Sequence, residues 1–456
     1  MQNAKSNSND QEKRVQDSLN LFFSRFDITG ILNKSKISKI RGIKVKDVIL
    51  RIAELPFRQK NFYQGIVVNQ DIEFNKSVAY DLLNNSKYNW RLFLYKIVFA
   101  VLNTFFSPLT SEQREDVLVL DDTAHPRNRS KKVELLAKVF DHVSHKYFKG
   151  FRILSLCWSD GSSLLPVDFA LLSSNNDENR YQGMNEKIDK RSCGYQRRKE
   201  AVSKSTDLIA PMIKRVLKSG IKAKHLLMDS WYGFPSIIAS VKPMIDVICM
   251  VKNMKTIFYY LGESKFTLGQ LYKQMRKKRG KAAIKGSWVV DIRSGDQTIQ
   301  VKIVFVKNRN NKRDWLAILS TDITLSDEEI VRIYGKRWDI EVFFKMMKQC
   351  LNLNNEVALR SYDGMIAHIT IVMLRYIFLT VEQRNIVDDR TFGGVFRDTI
   401  DEMEDITIYE ALNRILLMAF ERIRELGIVS KEIIDRIMDV FMGIVIERYQ
   451  IKQNVA

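Results

Sequence analysis

The chain has 456 residues, of which 45% are hydrophobic, and it carries a formal net charge of +20 at pH 7. This length and apolar content allow a large buried core in about two to four domains and exclude a wholly disordered protein. The positive charge predicts a polyanionic partner, either nucleic acid or an anionic membrane surface. The longest apolar run, residues 365–381, contains His368 and Arg375. We therefore interpret it as a buried helix and expect no membrane partner.

Cysteine and histidine patterns offer no metal or redox site. The four cysteines are scattered without a C-x-x-C pair, and the histidines form no H-E-x-x-H motif. We infer a reducing compartment without structural zinc. No Walker or Rossmann glycine pattern is present, and the polar first twenty residues predict no signal peptide. We expect a cytoplasmic protein whose chemistry, if it has any, comes from carboxylates.

The first part of the chain is predicted to be helical. Residues 1–14 are polar and are predicted to be disordered. Two later segments, SVAYDLLNN and NWRLFLYKIVFAVLNTFF, predict helices joined by a short polar turn. The pair could be a helix-turn-helix, although most short helix pairs do not read DNA. We interpret residues 1–110 as a helical N-terminal DNA-binding region.

Residues 111–252 have the pattern of a mixed α/β core. DVLVLDD predicts a buried strand, and FRILSLCWSDGSSLLPVDFALLS predicts a hairpin that turns at Asp160 and Gly161. A basic stretch then leads into a helix that is predicted to end near Gly220. HLLMDSWYG and DVICMVK predict two further strands with a short helix between them.

Residues 253–313 interrupt this alternation. One helix, TLGQLYKQMRKKR, and two strands, SWVVDIR and TIQVKIVFV, predict a basic, β-rich insertion subdomain. Residues 314–358 then return to the core with the strand DWLAILSTD and a helix for which Ser326 is a plausible N-cap. Residues 359–456 are predicted to be helical and to pack either on the core or on a second copy of the chain.

A polar stripe follows the helix predicted around residues 334–348. Tyr334, Arg337, Glu341, Lys345 and Lys348 are separated by 3, 4, 4 and 3 residues, so they share one face. Apolar residues occupy the opposite face. The simplest interpretation of such a stripe is a solvated face with ion pairs between residues four apart.

Carboxylates at the ends of predicted strands suggest a second interpretation. Asp121 and Asp122 follow one buried strand, and Asp229 follows another. Each could cap a helix or form a turn. Carboxylates gathered with Glu341 at the rim of a sheet would instead repel one another unless divalent cations lay between them. Two Mg²⁺ ions held about 4 Å apart form a clamp for a phosphodiester.

The stripe spells Y-x2-R-x3-E-x6-K, which resembles the YREK signature of DDE transposases of the insertion-sequence four family. The strand order resembles that family's RNase H-like core over roughly residues 115–350. The resemblance implies that Asp122, Asp229 and Glu341 bind the metal ions. Asp122 is preferred because it directly precedes Thr123, and Asp121 remains an alternative.

The resemblance also implies roles outside the carboxylates. Tyr334, Arg337, Lys345 and Lys348 would contact DNA, and two Mg²⁺ ions, or Mn²⁺, would serve as cofactors. Trp315 would stack on a flipped base, and its alternative role is that of a core aromatic. The implied reaction is nicking of the element's end, hairpin formation and strand transfer by a homodimer.

The sequence therefore predicts an α/β protein with an RNase H-like mixed-sheet catalytic core, a β-rich insertion and helical flanking regions. The predicted function is that of a DNA transposase of a bacterial or archaeal insertion sequence, which binds double-stranded terminal inverted repeats and target DNA. Its expected location is the prokaryotic cytoplasm, in association with the nucleoid. Two alternatives remain open, an RNase H-like nuclease without strand transfer and a transposase-derived DNA-binding regulator.

Overall fold

The structure is a computed structural model that describes residues 17–386, except 59, 70–71, 110–113, 142–145, 276–282, 309–313 and 355–357. The predicted disorder of residues 1–14 and the predicted helices after residue 386 lie outside the described residues. The dimerisation role suggested for the C-terminal region falls on the same segment.

The N-terminal region is helical, as the sequence predicted. After a helical segment at residues 17–25, its α-helices are α1 (Ile28–Lys34), α2 (Val45–Glu54), α3 (Lys76–Leu83) and α4 (Trp90–Val101). A 3-10 turn at Leu55–Arg58 and a π-helical turn at Tyr63–Val67 follow α2, and a π-helical turn at Leu102–Phe106 follows α4.

The second helix of the possible helix-turn-helix is a core element. Seven of the twelve residues of α4 are buried, among them Trp90, Phe93 and Ile97. This helix packs against the sheet and against the last described helix. A helix that reads a DNA groove needs an exposed face with polar side chains. The apolar content of α4 places most of this helix in the core, and DNA binding by residues 1–110 stays a prediction.

Among the described residues, eleven strands form one mixed sheet. The strands are β1 (Val117–Pro126), β2 (Ala137–Asp141), β3 (Lys146–Ser159), β4 (Leu164–Leu172), β5 (His225–Met228), β6 (Asp246–Val251), β7 (Tyr259–Leu261), β8 (Ser264–Phe266), β9 (Ile284–Ser294), β10 (Gln297–Lys307) and β11 (Trp315–Ser320). The remaining helices are α5 (Cys193–Ala201), α6 (Ser205–Lys218), α7 (Pro235–Val241), α8 (Leu268–Gln274), α9 (Asp327–Gly335), α10 (Asp339–Gln349) and α11 (Tyr362–Ile386).

The core of the sheet has the order β4-β3-β1-β5-β6. Strands β4, β3 and β1 are antiparallel, whereas β1, β5 and β6 are parallel. This is the order of an RNase H-like core, so the expected fold class is confirmed. The hairpin predicted at Asp160 and Gly161 joins β3 to β4, and Gly161 has a φ of +92°, a conformation that favours glycine.

The β-rich insertion is part of the same sheet. Strand β11 pairs with β6, β10 pairs with β11, and β9 pairs with β10, all of them antiparallel. Val301, Ile303 and Phe305 of β10 are fully buried in this extension. The insertion is therefore β-rich and extends the core sheet, a placement that the sequence did not predict. Strands β2, β7 and β8 were not predicted, since β7 and β8 have only three residues each.

Helix α11 is the apolar run that contains Arg375. Its segment Tyr362–Glu382 is long and apolar enough to cross a membrane, but 89% of its most apolar window is buried inside the fold. The predicted buried helix is therefore confirmed. Arg375 is fully buried and donates hydrogen bonds to the carbonyl oxygens of Ile52, Ala53 and Leu351. Its charge thus binds α11 to the end of α2 and to the chain that follows α10.

We predict that Arg375→Met lowers the free energy of unfolding by about 2–5 kcal/mol, because three buried carbonyl groups lose a charged donor. Urea unfolding followed by circular dichroism measures the change. Arg293→Met, at an exposed position of β9, is the control and should leave the unfolding free energy nearly unchanged. A wild-type unfolding curve for Arg375→Met would contradict a stabilising role of these hydrogen bonds.

Candidate active site

Two neighbouring parallel strands bring Asp121 and Asp229 together. The last residues of β1 and β5 that pair with each other are Leu120 and Met228. Asp121 and Asp229 each come one residue later, so they occupy equivalent positions at the rim of the sheet. The sequence suggested that the strand ends at the acids, but in the structure Asp121 lies within its strand. β1 continues to Pro126 because the antiparallel strand β3 remains paired with it beyond the end of β5.

Asp121 and Asp122 point to opposite faces of the sheet, since successive side chains of a strand alternate. An Oδ2 atom of Asp121 accepts a hydrogen bond from Nη1 of Arg337 at 3.0 Å. Asp122 instead pairs with Arg152 of β3, at 3.0 Å from Nη2 to Oδ1. The ion pair of Asp122 with Arg152 therefore lies on the opposite face of β1 from the ion pair of Asp121 with Arg337.

The helix of the polar stripe is interrupted. It begins as α9, whose N-cap Ser326 forms a capping box with Glu329. A single 3-10 turn at Lys336–Trp338 then separates α9 from α10. The apolar face packs as predicted, with Ile340, Phe343 and Met347 fully buried.

The stripe is only partly a solvated face. Tyr334 is 9% exposed, and the guanidinium of Arg337 lies 6.0 Å from the centre of its ring. Lys348 donates a hydrogen bond of 2.6 Å to the hydroxyl of Thr123 on β1. Burial lowers the pKa of both Lys345 and Lys348. The DNA contacts assigned to these residues stay predictions.

Arg337 bridges two of the candidate acids, Asp121 and Glu341. Its Nη1 binds Asp121, and its Nη2 donates to Oε1 of Glu341 at 2.7 Å. Burial raises the pKa of Asp121 to about 7, Arg337 opposes this shift, and the nearby charge of Asp229 adds to it. The pKa of Glu341 is also raised by burial, with Arg337 opposing and Asp229 adding to the shift. Asp121, Asp229 and Glu341 are therefore electrostatically coupled around one guanidinium.

Trp315 packs in an aromatic cluster. Its ring stacks on Tyr272 at a centroid distance of 4.6 Å and an interplanar angle of 21°. Phe305 contacts it edge-on at 5.2 Å. One face of the indole is therefore covered, which fits the alternative interpretation of Trp315 as a core aromatic. Stacking on a flipped base stays a prediction.

A cavity of about 290 Å³ lies on the Asp122 side of this rim. Two cations and two aromatic rings contribute to its lining, namely Arg152, Lys348, Phe140 and Phe148.

Sequence reasoning missed Arg152 because its place beside Asp122 depends on the register of β3 against β1. The sequence carried no signal for that register.

The donor set fits a hard divalent cation. Carboxylate oxygens are the ligands that Mg²⁺ prefers in proteins, and a divalent cation would offset the burial and the Asp229 charge that together raise the pKa of Asp121. Among the residues that the structure describes, no three acidic, histidine or cysteine side chains stand close enough to hold a metal ion as they are. Arg337 occupies the position between Asp121 and Glu341.

The site thus consists of acids at equivalent positions of two adjacent parallel strands in an RNase H-like sheet, with a glutamate on the helix packed against β1. Two family models match the chain: DDE superfamily endonuclease over residues 47–241, and archaeal putative transposase ISC1217 over residues 187–381. Asp229 lies within both. Over these ranges the chain is therefore similar to DDE endonucleases and transposases. A search of curated proteins finds no match.

We predict that the free energy of unfolding depends on pH because Asp121 has a raised pKa. Its pKa of about 7 in the folded protein exceeds its usual value of 3.8. The stabilisation is therefore complete below pH 3.8 and is lost as the pH rises through 7. In EDTA, Asp121→Asn should lose less unfolding free energy over this range than wild-type protein, by on the order of 4 kcal/mol. The loss caused by Asp339, whose pKa burial also raises to about 7, remains in both proteins.

Urea midpoints measured from pH 4 to pH 8 give the slope of stability against pH. Asp296→Asn, at the exposed turn between β9 and β10, is the matched control. An unchanged slope in Asp121→Asn would show that Asp121 titrates normally.

Proposed function

We propose that this protein is a DNA transposase that binds the terminal inverted repeats of an insertion sequence and moves the element by metal-dependent cleavage and strand transfer. The observation that carries the proposal is the equivalent placement of Asp121 and Asp229 on parallel strands, facing Glu341 across Arg337. The two family matches support the endonuclease and transposase chemistry. A prokaryotic cytoplasm is the proposed location.

We further propose that Asp121, rather than Asp122, completes the acidic triad. Asp121 shares the Arg337 guanidinium with Glu341 and interacts electrostatically with Asp229. Asp122 is paired with Arg152 on the opposite face of β1. Both acids have an arginine partner, so the choice rests on the face of β1: Asp121 lies on the face where Arg337 also binds Glu341, and Asp122 lies on the other.

Asp121, Asp229 and Glu341 would hold the Mg²⁺ or Mn²⁺ ions. When bound, two such ions would activate the attacking oxygen and stabilise the leaving oxygen of a phosphodiester. The chain's own cations have a separate task. Arg337, released from the acids, and Lys348 beside β1 would each neutralise a DNA phosphate, and such contacts position the duplex without reading its sequence.

Strand transfer distinguishes a transposase from a nuclease. A transposase must keep the cleaved 3′ end in place until it attacks target DNA, whereas simple hydrolysis requires no such retention. The row of cations from Arg337 to Lys348 next to the acids would serve this retention, and the net charge of +20 favours a long DNA contact. The proposed active unit is a homodimer that holds two ends and proceeds through a hairpin.

We predict that Glu341→Gln and Asp121→Asn each reduce cleavage at least about a thousandfold, because each removes a charged ligand of the metal site. DNA binding should remain within a few-fold of wild type. The assay uses purified protein, Mg²⁺ and labelled DNA taken from the flanks of the reading frame. Hairpin and joined products are expected from wild-type protein.

Asp122→Asn is the matched control for the choice of acid. We expect it to retain far more activity than Asp121→Asn, and the reverse order would assign the ligand role to Asp122. Nicks without joined products would identify a nuclease, and binding without cleavage would identify a regulator.

We predict that Arg337 competes with the metal ions. Arg337→Gln should bind Mn²⁺ more tightly than wild-type protein, because the guanidinium no longer occupies the acids. Its cleavage rate should nevertheless fall, since a phosphate contact is lost. Isothermal titration with Mn²⁺ measures the first effect. Weaker Mn²⁺ binding by Arg337→Gln would show that Arg337 supports the metal site rather than competing for it.

A further inference from the structure

An exposed indole stands beside one of the acids. Trp231 follows Asp229 by two residues, and 41% of its surface is exposed. Its backbone N–H donates a hydrogen bond of 2.8 Å to Oδ1 of Asp229. The tryptophan and the carboxylate are therefore fixed relative to each other in one short turn.

The turn that carries Trp231 is held on both sides. The ring of Tyr232 is fully buried, and its N–H donates to the carbonyl of Asp229 at 3.2 Å. At Gly233 a Cβ atom would lie 2.4 Å from the carbonyl oxygen of Met250 in β6, so the chain passes directly against that strand. Pro235 then begins α7. This anchoring makes the outward position of Trp231 a property of the fold.

A lysine accompanies the indole. Lys252 follows β6 immediately and is exposed. Its ammonium group lies 4.6 Å from the centre of the Trp231 ring. An exposed aromatic ring combined with a cation suits an unpaired nucleotide, because the base stacks on the ring while the cation neutralises the adjacent phosphate.

We propose that Trp231 and Lys252 form a stacking site for an unpaired nucleotide next to the scissile phosphate. The inference rests on the proposed function, since it places that phosphate at Asp229. In this arrangement Trp231 is a positioning residue. It holds a single-stranded end at the rim of β5 and β6, on the side of the acids away from β3.

The test compares two DNA probes, a blunt duplex and the same duplex with a short single-stranded 3′ tail. The tail carries 2-aminopurine, whose fluorescence falls when it stacks on an indole. Binding is measured by anisotropy with the full chain in Ca²⁺, so that cleavage does not interfere. Wild-type protein should prefer the tailed probe and quench the 2-aminopurine.

Trp231→Ala should weaken binding of the tailed probe by about 5- to 100-fold, as expected for loss of one base–aromatic stack. Binding of the blunt duplex should be unchanged, and Trp231→Phe should recover most of the loss. Lys252→Met should reduce the salt dependence of tail binding by about one unit of slope.

Two comparisons make the result specific. Tyr260→Ala removes a similar aromatic–cation pair, with Arg293 at 3.9 Å from its ring, on the far strand β7, and it should bind both probes like wild type. Trp338 is also exposed, by 48%, and precedes Glu341 by three residues. Loss of quenching in Trp338→Ala but not in Trp231→Ala would overturn the proposal, as would equal losses of both probes in Trp231→Ala.

The outcome is separable from that of the proposed function. If wild-type protein cleaves no DNA but retains a tail preference that depends on Trp231, the stacking site stands and the transposase proposal fails. If the protein cleaves DNA and Trp231→Ala has no effect on tail binding, the transposase proposal stands and the stacking site is overturned.

Discussion

A group of buried acids at one rim of the sheet is the constraint on which the site depends. Burial raises the pKa of Asp121 and of Glu341, the charge of Asp229 adds to both shifts, and Arg337 is the cation that binds both of these acids. Stability alone would favour replacing such acids by neutral groups. The proposed function explains their placement by ligands that arrive from outside, namely divalent cations and DNA phosphates.

The sheet makes this concentration of charge possible. Parallel pairing of β1 with β5 forces Asp121 and Asp229 into neighbouring positions, and antiparallel pairing of β1 with β3 supports β1 beyond that point. On the other side, β11, β10 and β9 extend the sheet from β6. The rim therefore stands on a rigid, widely buried platform, which is the support that a catalytic arrangement of side chains requires.

Much of this organisation could be predicted from the sequence. The strands near Asp121 and Asp229, the hairpin at Gly161, the buried helix around Arg375 and the apolar face of the Glu341 helix all follow from local periodicity. The sequence left the outcome open where distant parts of the chain decide it. Helix α4 has a helical pattern that fits either an exposed helix or a core element, and its packing against the sheet buries most of it. The β-rich insertion was predicted, but only the pairing through β11 shows that β9 and β10 extend the core sheet.

The sequence by itself determined the strands beside Asp121 and Asp229 and the spacing of Tyr334, Arg337, Glu341 and Lys348, because periodicity and spacing are local properties of the chain. The RNase H-like fold class was implied by the family resemblance that this spacing carries. Only the tertiary structure decided which of Asp121 and Asp122 faces Arg337. Adjacent residues of a strand point to opposite faces, so the choice depends on which face the helix covers. It also decided that Arg152 pairs with Asp122 and that Lys252 lies over Trp231, since the members of each pair come from segments that are distant along the chain. Strand register and helix placement are long-range properties that no short segment encodes.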